Sequence, residues 1–139
     1  MLYDAVANPG TVTVDELRAA YEDEVREAVA ATGTTTAADA ANVSEETLSN
    51  GVLELTLEQA ASILALADGY PDADAIVWEF RDHLLMGMTT GILDVDTLAS
   101  EVDLDLSGQE IQQAIEGRTA ATLDELAAIH HVIAVRNER

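Results

Sequence analysis

The sequence predicts an all-α protein of about eight helices, arranged as two similar helix-turn-helix-like halves that share one core. Three observations carry this. Four Ser/Thr-x-x-Glu/Gln capping boxes (Thr13 with Glu16, Thr56 with Gln59, Ser107 with Glu110, Thr122 with Glu125) each precede an apolar pattern of helical period. Within those patterns apolar residues recur at spacings of three and four, which gathers them on one helical face. Two alternating stretches, residues 11–14 and 53–57, are short and run into capping boxes, so neither is expected to be a strand.

The first helix is expected over residues 14–31, with Val14, Leu17, Tyr21, Val25, Ala28 and Val29 facing inward and Gly33 ending it. A short helix over 37–41 follows, and Ser44 opens another. Leu57, Ala60, Ala61, Leu64 and Ala67 mark a helix over 57–68, stopped by Gly69 and Pro71. The fifth helix, 73–88, carries Ile76, Val77, Phe80, Leu84 and Met88, with Trp78 on its flank and Trp78, Phe80 or both expected at the junction of the halves. Three more are expected over 95–102, 108–116 and 123–136. Long helix, two short helices and a further helix thus occur twice, dividing the chain at 1–69 and 70–139. Ser44 and Leu48 precede Ser107 and Ile111 by 63 positions, and Thr56-Leu57-Glu58 precedes Thr122-Leu123-Asp124 by 66, which places a three-residue difference before the last helix.

Composition bounds the function. In 139 residues, 48% apolar, 27 are acidic and 6 basic, all six of them Arg, for a net charge of -21. That charge repels itself at low ionic strength, whereas at 1 M salt the Debye length shrinks to about 3 Å. The carboxylates are spread through the helical patterns rather than gathered in a tail, so the expectation is a folded protein adapted to a saline cytoplasm. Without cysteine there is no disulfide, thiolate metal site or Cys nucleophile. Residues 1–10 have neither a basic flank nor a long apolar run, and the most apolar stretch, 84–95, is well short of the ~20 residues of a membrane span. Asn42-Val43-Ser44 fits a glycosylation sequon but reads as a turn and helix cap.

Ala37-Ala38-Asp39-Ala40-Ala41-Asn42-Val43-Ser44 resembles the first helix and turn of the phage-repressor type of helix-turn-helix, with Asn42 in place of the left-handed Gly. Ser107 to Gly117, continued by Thr122-Leu123-Asp124-Glu125-Leu126, is similar to the second helix, turn and following helix of that family. Neither copy is complete. The resemblance implies nucleic-acid binding, with Gln109, Gln112 and Gln113 reading bases and Arg118 touching phosphate. Against it, the corresponding helix of the first half offers Glu45 and Glu46, and phosphate contacts normally supply most of the affinity. Asp82-His83-Leu84-Leu85-Met86-Gly87-Met88-Thr89-Thr90 and Gln113-Ala114-Ile115-Glu116-Gly117-Arg118 also resemble a family of short, acidic, uncharacterised haloarchaeal proteins, which implies a saline habitat and no particular activity.

Catalysis is not expected. His83, His130 and His131 are the only histidines; the adjacent pair stands about 100° apart on its helix and cannot share a metal as an i, i+4 pair does. His130 is expected partly buried beside Leu126 and Ile133, with His131 solvated. Phosphate-binding loop, dinucleotide-binding glycine pattern and nucleophile elbow are all missing. Asp94 with Asp96, or Asp103 with Asp105, lacks the rest of a calcium loop. No cofactor or metal is expected. The segment 84–88 is apolar nearly all round and is read first as core between the halves; the sharper reading makes Leu85, Met86 and Met88 an interface, a homodimer included, because Met adapts to partner surfaces and Gly87 admits close approach. The function expected is a non-catalytic binding or adaptor module with a protein partner; the alternative is a helix-turn-helix transcriptional regulator.

Overall fold

The computed structural model describes residues 1–138, among which eight α-helices form: α1 (Val14–Thr32), α2 (Thr34–Ala41), α3 (Glu45–Asn50), α4 (Leu57–Leu64), α5 (Ala73–Gly91), α6 (Val95–Glu101), α7 (Gly108–Glu116) and α8 (Leu123–Glu138). Short 3-10 turns at Leu2–Asp4, Pro9–Thr11 and Val52–Glu54 fill the connections and had no periodic signal. All four capping boxes close reciprocally: in the last, the Thr122 amide donates to Glu125 Oε1 at 3.0 Å and the Glu125 amide donates to Thr122 Oγ1 at 3.2 Å. Asp72 and Asp94 cap α5 and α6 by accepting from Ala75 and Thr97. Each cap satisfies an otherwise orphaned amide, so these capped starts follow the sequence closely, whereas α2, which has no side-chain cap, begins at Thr34 and not at the expected 37.

Helix ends follow it less well. Beyond Leu64 the hydrogen bonds tighten, with Leu66 donating to Ile63 and Ala67 to Leu64, and Gly69 turns the chain at φ 90°; α4 therefore stops at Leu64, not at residue 68. Asn42 takes the left-handed conformation at the end of α2 (φ 57°).

One core runs through both halves, and its residues repeat. Counted from the caps Thr13 and Asp72, α1 buries Leu17, Tyr21 and Val25 where α5 buries Ile76, Phe80 and Leu84. Leu57, Ala60, Ala61, Ile63 and Leu64 of α4 likewise correspond to Leu123, Leu126, Ala127, Ile129 and His130 of α8, all buried. The long helix of each half packs on the last helix of the other, α1 on α8 and α5 on α4, as well as on its own. Tyr21 and Phe80, equivalent residues, meet edge to face with ring centroids 6.0 Å apart. Ion pairs repeat the exchange: Glu58 in the first turn of α4 holds Arg81 of α5, and its counterpart Asp124 of α8 holds Arg18 of α1 at 2.9 Å. Phe80 thus lies at the junction as expected, whereas Trp78 stands 68% exposed.

Candidate docking surface

A helix of period 3.6 that buries Ile76, Phe80 and Leu84 must turn its opposite side away from the core. On α5 that side carries an apolar row with Asp74 and Asp82 beside it. Trp78, Leu85 and the C-cap residue Ile92 are spaced by seven and are 68%, 45% and 86% exposed, with half-buried Arg81 and Met88 between them. The 84–88 segment is therefore not core on every side: Leu84 is buried, but Leu85 and Met86 are exposed. Leu85 and Met88 lie on the row, while Met86 points round toward Pro9 and α8 and lines a different hollow. Gly87 does permit close approach, but of α8 in the same chain: a Cβ there would run into the Ile133 side chain.

Three open hollows adjoin the row. A hollow of about 600 Å³ between α4, α5 and α7 is lined by Val77, Trp78, Arg81 and Leu85, with Glu58, Asp74, Asp82 and Glu116 around it. A second, about 260 Å³, lies between Leu85, Met88 and Ile115. The third, about 500 Å³, runs along Leu85, Met88 and Ile92 to Asp94. Leu85 lines all three, so they form one furrow along α5. Arg81, its cation, is engaged by Glu58 and lies over Gly117, where a Cβ would strike the guanidinium.

The first half provides an internal comparison. Where α5 has Trp78, Arg81, Leu85, Met88 and Ile92, α1 has Ala19, Glu22, Arg26, Val29 and Gly33. Glu22 and Arg26 form an exposed ion pair at 3.6 Å, and Gly33 ends the helix at φ 96°. Ile92 ends α5 at φ 51°, a conformation that costs a β-branched side chain on the order of 1–2 kcal/mol and that Gly adopts freely. The fold does not need this row, since its equivalent half works without one.

The nucleic-acid residues are brought together only in part. Ile111 and Ile115 face inward, leaving Gln109 and Gln112 exposed on α7; Gln113 is half-buried beside Ala114 and Thr119, not exposed with them. The Gln112 amide donates to Glu116 Oε1 at 2.9 Å, and the exposed Arg118 pairs with the same carboxylate at 3.1 Å.

The histidines depart from expectation. His130 is fully buried, and its Nδ1 lies 2.5 Å from the Tyr21 hydroxyl. Burial, with His83 and His131 nearby, pushes its pKa down to about 4, while burial raises that of Tyr21 well above the usual phenol range. Both are therefore neutral near pH 7. His131 is half-buried rather than solvated, with Nε2 at 2.7 Å from the Val12 carbonyl. His83, stacked on Tyr3 at 4.9 Å, meets His130 edge to face at 5.4 Å; burial lowers its pKa despite Asp4 and Asp82. Tyr21, distant in sequence, had nothing to mark it as the partner of His130. Among the described residues no three His, Asp or Glu converge as metal ligands, and no helix is long and apolar enough to cross a membrane.

No curated protein and no solved structure matches the chain. Residues 17–136, which hold every helix from the first core position of α1 into the last turns of α8, match a family of unknown function, and the chain accordingly belongs to that family, DUF5791.

Proposed function

We propose that this protein is a non-catalytic binding or adaptor module of a saline cytoplasm, which docks a partner protein along α5. The observation that carries the reading is the row of Trp78, Leu85 and Ile92. It exposes large apolar groups, one of them in a strained backbone conformation, at positions where the equivalent half has small or charged residues. Exposure of this kind lowers solubility and does nothing for the core. An apolar row flanked by polar groups is what a protein interface requires. The net charge of -21, with no lysine, supports the saline setting.

A photo-crosslinking amino acid at position 85, introduced into the protein in its native cells, tests the reading against the same substitution at position 26 on α1. Discrete protein adducts from 85 and none from 26 are expected. Equal labelling from both positions, or none from either, would overturn the proposal.

A second reading, a transcriptional regulator, is favoured by Gln109 and Gln112 lying exposed on α7. It ranks lower because Gln112 and Arg118 are both occupied by Glu116 and α3 presents Glu45 and Glu46, so little remains to hold phosphate. Genome-wide crosslinking at native salt should return no discrete sites; enriched sites would promote this reading over the first.

A further inference from the structure

We infer that the occupant of the α5 furrow is a basic amphipathic helix of another protein, about four turns long, which lays its apolar row on Trp78, Leu85 and Ile92 and sets Arg or Lys against the surrounding carboxylates. The inference rests on the docking reading above and adds the form and charge of the partner.

The form follows from spacing. Residues seven apart on one helix, with others three or four between, are the seam into which a second helix packs at a shallow angle. Fourteen residues separate Trp78 from Ile92, a distance of roughly 21 Å at 1.5 Å per residue, or about four turns. The hollows flanking Leu85 are open, so a partner's side chains can enter between α5 and α7.

The charge follows from the edges. Asp74 and Asp82 line the hollow at the Trp78 end and Asp94 lies at the other, while Glu116 is already paired with Arg118. Arg81 is held by Glu58 and so does not offset them. A second copy of this chain would bring the same carboxylates directly against one another at the furrow's edges, where salt screens least. Nucleic acid and anionic lipid meet the same repulsion. Cations meet attraction at the edges, and the exposed Trp78 face between Asp74 and Asp82 suits a guanidinium or ammonium in particular.

Trp78 is the chain's sole tryptophan, so its emission reports on the furrow directly. Three helical peptides of about sixteen residues share one Leu row and carry Arg, Gln or Glu beside it. The Arg peptide is expected to shift Trp78 emission to the blue and to bind at least tenfold more tightly than the Glu peptide. Replacing Asp74→Asn, Asp82→Asn and Asp94→Asn together should weaken it by roughly tenfold, while Asp23→Asn, Glu27→Gln and Asp103→Asn, away from the furrow, should leave it unchanged. Leu85→Glu with Ile92→Glu should abolish binding despite the added negative charge.

Equal binding of the Gln or Glu peptide overturns the inference about charge while leaving docking on α5 intact. Arg-peptide binding that survives Leu85→Glu and Ile92→Glu, or is weakened equally by the distant triple substitution, marks it as unspecific attraction and overturns the inference. So does binding of none of the peptides. Self-association of the protein alone in sedimentation, abolished by Leu85→Glu, would replace the basic helix with a second copy. The docking reading itself fails separately, through absent crosslinks at position 85.

Discussion

Thr56 and Thr122 face each other in a single antiparallel bridge, the point where the two halves exchange backbone hydrogen bonds. Leu57 donates to the Ala121 carbonyl at 3.2 Å, and Leu123 donates to the Leu55 carbonyl at 2.9 Å. Each bond is the image of the other under the correspondence of α4 with α8, as a local two-fold axis through the bridge requires. Each threonine also caps the helix that follows it. The bridge therefore sets α4 and α8 starting from one point, and the swapped packing of α1 and α5 follows.

This relation makes a prediction about the buried polar pair. Under it, Tyr21 and His130 correspond in position to Phe80 and Leu64, both buried and apolar, on the packed pair α5 and α4. Tyr21→Phe alone should destabilise the protein by about 1–3 kcal/mol, because it leaves the buried Nδ1 of His130 without its partner. Adding His130→Leu should recover most of that loss. Urea titration of the two variants checks it, and a double variant weaker than the single would contradict the equivalence.

Acid should expose the same pair. The folded protein holds His130 at about 4 against an ordinary 6.5, so between those values the unfolded chain binds the extra proton. Stability from this group is intact above pH 6.5, falls as the pH drops, and stops falling near pH 4, with a total loss on the order of 3 kcal/mol. The Tyr21→Phe, His130→Leu protein should lose this component of the pH profile. Melting temperatures across pH 4–7 would show it.

Phe80 and Trp78, two residues apart on α5, should respond oppositely. Phe80→Ala empties the junction beside Tyr21 and should cost about 3–5 kcal/mol. Trp78→Ala removes an exposed ring and should change stability by less than about 0.5 kcal/mol. Comparable losses in denaturant melts would mean that α5 is rotated.

Replacing Ile92→Gly puts at the end of α5 a residue that adopts the left-handed conformation without a Cβ penalty. Relief of the left-handed strain should stabilise the fold by about 1 kcal/mol. Thermal melts read the gain, and a loss would show that Ile92 packs within the chain.

Salt bears on the whole surface. With 27 acidic against 6 basic residues, the unfolding midpoint should climb steeply between about 0.1 and 2 M potassium chloride as screening takes hold. Circular dichroism melts would expose a flat profile, which would remove the saline reading.

Local chemistry was legible in the residues themselves. Thr13, Thr56, Ser107 and Thr122 announced their helices because a cap and its Glu or Gln partner are neighbours in sequence, and Leu17, Tyr21, Ile76 and Phe80 announced the core because burial repeats with the helical period. The α7 pair Ile111 and Ile115, four apart, is buried by the same periodicity. What needed the tertiary structure were the relations between distant segments. Leu85 lies only one residue after buried Leu84, and which flank of an apolar helix meets solvent depends on where α4, α7 and α8 are packed. Ile92 was missed because α5 continues past Met88, and the seven-residue row is complete only with the cap included. Tyr21 and His130, 109 residues apart, meet because α1 crosses onto the other half's last helix, a contact fixed by packing around the Thr56–Thr122 bridge and invisible to any local pattern.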